Sequence, residues 1–343
     1  MAQVTLPTSL CLTPDLLQPI FKLAAATDQR TAVRLALVCQ VSRAWVEPII
    51  YAIVKLTKEA SVKALLRTIL TSGKPQAFFV NHVRSLVITQ NTHLPSLGQV
   101  LLACPRITSL TFWSIPVQDE PQSMTRGPRL YLSSPRSSVR QEASHLPFPD
   151  DCFETIRPNR LAAVFRDQRN TFPKPNFSRG IFTSVTHLSV LNCFDVWSGW
   201  DHFHHLQSLT HLSLDLNVSK MRSLFPHTND LARCHRRLAL CLRYTIHQCE
   251  NLQVLILVLL FTEQPEIIAR RLLTSMEELD EEESRTFPFN NPLERHDRKL
   301  AFVRKRNVFE AREAHSKTEK MMWEAAEHQV RTRDGHDPRI VLI

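Results

Sequence analysis

One spacing recurs along this chain and limits what it can fold into. An apolar residue is followed after two variable positions by a leucine, and two residues later by a second apolar residue. It reads Val83-Arg-Ser-Leu86-Val-Ile88, Ile107-Thr-Ser-Leu110-Thr-Phe112, Val185-Thr-His-Leu188-Ser-Val190, Leu209-Thr-His-Leu212-Ser-Leu214 and Leu252-Gln-Val-Leu255-Ile-Leu257. Alternate side chains of an extended strand share a face. The leucine and its partner two residues on therefore point into one core, and the leading residue anchors the turn before them. Leu86 and Leu110 are 24 residues apart, as are Leu188 and Leu212, so the unit between strands has a repeated length. The 43 residues from Leu212 to Leu255 leave room for one longer helix over 231–248, whereas the 78 from Leu110 to Leu188 exceed a single unit. The spacing predicts parallel strands near 84–88, 108–112, 186–190, 210–214 and 253–257 in one curved sheet, with the five leucines stacked as one buried ladder. Short pieces at 52–56 and 339–343 read as degenerate strands at either end.

Three of the five segments continue to Asn91, Cys193 and Asn217, completing L-x-x-L-x-L-x-x-N/C. In this they resemble the leucine-rich repeat. The resemblance implies a solenoid of strand-and-helix units; unrelated strands of an α/β sheet are the alternative. The Asn or Cys is expected to satisfy backbone groups where the chain leaves the strand.

Before residue 52 the pattern is helical. Thr13-Pro14-Asp15 is a start signal: Thr13 can accept from first-turn amides, Pro14 suits the first helical position, and Asp15 complements the positive helix end. Leu16, Leu17, Ile20, Phe21 and Ala24 follow at helical spacing. Asp28 can cap a second helix carrying Ala32, Leu35, Ala36 and Cys39, and a third segment over 42–50 holds Trp45 and breaks near Pro48. The three form a small helical unit over 1–51.

With Leu12-Thr-Pro14-Asp15-Leu16-Leu17, then Ile20-Phe21, Leu37-Val38-Cys39 and Trp45, this unit resembles an F-box of the type found in fungal proteins. The extra Thr13 between Leu12 and Pro14 and the late Trp45 depart from the family pattern. The resemblance implies a three-helix domain that docks on the Skp adaptor of a cullin–RING ubiquitin ligase. Carried over residue by residue, its adaptor contacts are Pro14, Leu16, Leu17, Ile20, Phe21, Leu37, Val38 and Cys39. Some of these should stay exposed, with Pro14, Leu16 or Leu17, and Val38 foremost, while Ile20 and Phe21 are shared with the internal core.

The expected fold class is thus α/β: the three-helix unit at 1–51, then an irregular leucine-rich-repeat domain at 52–290, then a charged helix and tail at 291–343. Residues 116–180 hold 9 of the 21 prolines and read as a long, partly disordered insertion. Residues 293–333 lack proline and glycine. There Phe302, Phe309, Trp323 and Val330 fall on a seven-residue grid, predicting one long helix.

Several chemistries are excluded. The 6 glycines stand at least 19 residues apart, so no dinucleotide turn, phosphate loop or G-x-S-x-G elbow can form. None of the 8 cysteines has C-x-x-C spacing, and most sit in apolar runs as free thiols of a reducing compartment. The acidic run 277–283 reads as a solvated helix face or linker. The longest apolar stretch, 254–261, is eight residues against the roughly 20 a membrane span needs. His202-Phe-His204-His205, with His187 and His211 nearby, is the one dense group of metal-ligand residues. His187 and His211 hold equivalent repeat positions and should lie side by side, in a structural or surface role. No catalytic residue, metal or cofactor is expected.

The resemblance therefore implies a non-enzymatic substrate-recognition subunit of an SCF-type ligase, cytoplasmic or nuclear. It would bind the Skp adaptor through the first helices and an unknown protein substrate through the repeats. The alternative is a leucine-rich-repeat scaffold without ligase association. A net charge of +9 raises a third, weaker reading, nucleic-acid binding through the basic insertion.

Overall fold

The structure is a computed structural model, described here for residues 13–88, 94–112, 151–165, 176–191, 197, 200, 202–218, 231–286, 299–304, 315–332 and 340–342. Three helices open it: α1 (Pro14–Thr27), α2 (Gln29–Ala36) and α3 (Gln40–Ala52). Asp28 caps α2, its carboxylate accepting from the Thr31 amide at 2.8 Å and the Thr31 hydroxyl at 2.9 Å. Thr13 makes no side-chain cap, so the start of α1 rests on the fixed φ of Pro14 and on Asp15 in its first turn. Cys39, expected within the second helix, instead caps the third. The Ser42 amide donates to its Sγ, its own amide donates to the Ser42 hydroxyl, and that hydroxyl reaches back to the Leu35 carbonyl. Pro48 does not end α3, which runs four residues further with Val46 fully buried beside it.

Helix α3 passes directly into β1 (Ile53–Leu56), the first strand of a nine-stranded sheet in which every pairing is parallel and the spatial order is the chain order. The others are β2 (Ser85–Ile88), β3 (Ser109–Phe112), β4 (Arg160–Ala163), β5 (His187–Val190), β6 (His211–Asn217), β7 (Val254–Leu260), β8 (Leu300–Arg304) and β9 (Ile340–Leu342). All five strands expected from the leucine spacing are present, as are both terminal ones. Register aligns Leu86, Leu110, Leu161, Leu188, Leu212, Leu255 and Leu300 in one row, each fully buried. Burying a leucine stabilises by about 1.5–3 kcal/mol, and this row and the one beside it (Ile88, Phe112, Val190, Leu214, Leu257, Phe302) all belong to the one core.

The connections carry helices α4 (Glu59–Thr71), α5 (Gln76–His82), α6 (Leu94–Ala103), α7 (Asp151–Thr155), α8 (Leu231–Gln248) and α9 (Pro265–Thr286). Single 3-10 turns replace helices at Gly180–Phe182 and Phe203–His205. The helix expected at 231–248 is α8, and the acidic run ends α9. Buried residues of α4, α5, α6, α8 and α9 join the leucine row in one core.

Three expectations need correction. The gap between Leu110 and Leu188 is not one insertion, because α7 and β4 lie inside it and β4 supplies Leu161 to the row. Most of the remainder, 113–150 and 166–175, falls outside the described residues, as do Asn91 and Cys193; Asn217 is buried at the end of β6. The long helix over 293–333 is instead β8 followed by α10 (His315–Thr332), with Phe302 on the strand and in the main core. Nor does the sheet stop at the boundary expected at 290, since β8 and β9 extend it.

Helix α10 packs on the other face. Met322, Trp323, Ala326 and Val330 meet Val254, Ile256, Val258, Leu260, Ala301 and Val303, while Leu255, Leu257 and Leu259 point to the main core. Strand β7 is therefore buried on both sides, which is why 254–261 is apolar without alternation. No described helix is long and apolar enough to cross a membrane.

Candidate functional site

Two places on this frame combine unusual residues with a defined geometry. The first is the helical trio. Its interior is small: Ala25, Ala32 and Val46 are buried, and Phe21, Leu35, Ala36, Trp45, Ile49 and Ile50 pack around them. Phe21 meets Trp45 edge to face, with centroids 6.1 Å apart. Such a core cannot cover everything apolar. Leu16, Ile20 and Leu23 form a solvent-facing stripe on α1, at 55%, 51% and 71% exposure. At the turn from α2 to α3, Leu37 is 81% and Val38 65% exposed, with Val33 and Val41 outward on the flanking helices. A folded chain seldom shows this much large aliphatic surface on so small a unit without a partner.

The eight residues singled out by resemblance divide three ways. Pro14, Leu16, Ile20, Leu37 and Val38 face solvent, and Leu17 is half-buried. Phe21 turns inward as expected, but Ile20 is not shared with the core. Cys39 is exposed and held as a helix cap; hydrogen bonds from the Ser42 side chain, then its amide, lower its thiol pKa. Leu23, Val33 and Val41 were missed. Leu23 was readable, being seven residues beyond Leu16, whereas nothing local marks Val33 or Val41 as outward.

The second place lies under α10. His187 and His211 stand opposite each other in β5 and β6, and their rings stack 4.1 Å apart and 2° from parallel. The side-by-side placement expected from equivalent repeat positions is observed. Trp323 closes over both rings edge-on, at 5.3 and 5.6 Å. Glu327, one turn further along α10, brings Oε1 to 3.3 Å from His211 Nε2 and pairs with Arg331 through its other oxygen. Glu319, one turn before Trp323, accepts from the Ser189 hydroxyl at 3.3 Å and the Trp323 indole at 3.4 Å. Burial, then the charges of His211 and Arg160, push the His187 pKa down to about 4. Burial also lowers His211, against the opposing pull of Glu327.

No protein-family model matches this chain, and no curated protein matches its sequence. The geometry therefore carries the functional reading.

The sequence cluster His202, His204 and His205 lies on an exposed 3-10 turn, with ring centroids 4.2–5.9 Å apart. His202 enters that turn in the left-handed region, φ 71°. Among the described residues no carboxylate completes this group, whereas Glu327 completes the pair under α10. That carboxylate comes from 116 residues beyond His211, so spacing alone cannot reveal it.

Proposed function

We propose that this chain is the substrate-recognition subunit of an SCF-type cullin–RING ubiquitin ligase. In this reading the trio is an F-box that docks a Skp-type adaptor, and the sheet with its outer helices is an irregular leucine-rich-repeat solenoid that holds a protein substrate. The chain supplies no catalytic group. It acts by proximity, raising the effective concentration of a substrate lysine near the conjugating enzyme. The observation that carries the reading is the outward apolar stripe Leu16, Ile20 and Leu23 together with the exposed Leu37 and Val38. Four of those five were named from the F-box resemblance by sequence position alone.

Co-purification tests it. The wild-type chain, expressed with a Skp-type adaptor, should retain that adaptor through gel filtration. Leu16→Asp and Leu37→Asp should each release it, because either puts an unpaired charge into an apolar interface. A wild-type chain that never retains the adaptor would leave a leucine-rich-repeat scaffold without ligase association as the better reading.

A further inference from the structure

Each of the stacked histidines is engaged at Nδ1 by a threonine hydroxyl. Thr186 Oγ1 donates to the Asn159 carbonyl at 3.0 Å, and Thr210 Oγ1 donates to the Thr186 carbonyl at 3.1 Å. The same oxygens lie 2.9 Å from His187 Nδ1 and 2.8 Å from His211 Nδ1. A ring that gives its Nε2 lone pair to a cation carries its proton on Nδ1, and each threonine oxygen is placed to accept it.

The Nε2 edge of His211 faces a carboxylate. One ligand atom each from His187, His211 and Glu327 lie within 4.8 Å of one another. His211 Nε2 is closed off from solvent and has no hydrogen-bond partner, although Glu327 Oε1 is 3.3 Å away. A cation between His211 Nε2 and Glu327 Oε1, whether a proton or a metal ion, would hold the pair at that distance. Arg331 lies on the other Glu327 oxygen, Arg160 stands next to His187 along the strand register, and Glu319 sits beyond Trp323 on Ser189.

We propose that His187, His211 and Glu327 form a binding site for a divalent transition-metal ion of the zinc type. Two imidazole nitrogens and one carboxylate suit such an ion, and a fourth position is left for water. The threonine hydroxyls supply the outer partners that orient metal-binding histidines through their second nitrogen. The rings stand 2° from parallel, so holding one centre requires them to splay apart toward Glu327. The ion would tie β5 and β6 to α10, adding a polar clasp to the apolar contact around Trp323.

The test uses the full chain, freed of metal with a chelator and titrated with Zn²⁺ against a chromophoric competitor, and with Co²⁺ for its visible spectrum. One equivalent should bind, Co²⁺ should give the intense bands of a four-coordinate site, and the melting temperature should rise with metal. Glu327→Gln, isosteric and on a partly exposed side chain, should weaken Zn²⁺ at least tenfold without unfolding the apo chain. His187→Ala with His211→Ala should abolish binding, and circular dichroism will show whether that chain is folded. Replacing His202, His204 and His205 by alanine should leave binding intact. Failure of the wild type to bind a stoichiometric ion would overturn the proposal, leaving a proton shared between His211 and Glu327. So would binding that survives Glu327→Gln unchanged, or that disappears with the three exposed histidines.

Discussion

Phe21 and Trp45 touch edge to face at 6.1 Å, and this contact separates what the helical trio keeps inside from what it shows to solvent. Leu16 and Ile20, on the same helix as Phe21, point away from it. Trp45→Ala should therefore lower stability by about 2–3 kcal/mol, less than a fully buried tryptophan would cost. Leu37→Asp should leave the thermal unfolding of the free chain nearly unchanged. Equal destabilisation by the two would mean that the exposed leucine belongs to the core. Calorimetry of both variants distinguishes these outcomes.

Glu47 joins the trio to the next unit. It accepts from Arg43 at 2.8 Å on its own helix and from Lys74 ahead of α5. Burial pushes its carboxyl pKa up, but the hydrogen bonds and charges of Lys74 and Arg43 outweigh this and hold it below the usual range. The folded-state pKa is then below the unfolded one, near 4.3. The contribution is complete above that pH and disappears as pH falls through the lowered value. Glu47→Gln should cost about 1–2 kcal/mol at pH 7. The difference from wild type should narrow in melting curves taken from pH 5 downward.

The leucine row offers a direct test of register. Leu212 sits between Leu188 and Leu255 with no exposed surface. Leu212→Ala should cost about 2–5 kcal/mol, the range for a buried leucine whose cavity cannot collapse. Ser85→Ala, a half-exposed position on the opposite face of β2, should change stability by less than about 0.5 kcal/mol. Denaturant titration of the two variants is sufficient.

Thiol reactivity should follow burial. Burial pushes the Cys104 and Cys249 thiols up to about 12, whereas the exposed Cys39 thiol is lowered. At neutral pH an alkylating reagent should mark Cys39 in the native chain. Cys104 and Cys249 should react only after denaturant is added, as peptide mass mapping can show.

How much of this was legible depended on whether a signal was local. Strands β2, β3, β5, β6 and β7 each carry the leading apolar residue three positions before the leucine, and each was found. In β4 the leading place is held by Pro158 and the residues after Leu161 are alanines, so the segment looks like loop. In β8 the leading place is Asp297, and Phe302 falls on a seven-residue grid with Trp323 and Val330 that reads as helix. The stacked histidines were legible because Thr186-His187 and Thr210-His211 repeat at one offset. Glu327 was not, since its role depends on α10 crossing the opposite face of the sheet. The outward direction of Ile20 was missed for a similar reason: helical period marks a face as apolar but not whether that face is covered.

Helix α3 ends at Ala52 and β1 begins at Ile53, with no residue between them. The Arg84 amide donates to the Ala52 carbonyl, and Tyr51 packs edge-on against Phe78 and Phe79. The chain thus has no hinge where its two parts meet. A protein gripped by the trio and another gripped by the sheet would keep one fixed bearing toward each other. Which side chains of the second come within reach of the first's companions would then be set by the angle of this joint, not by a tether's search.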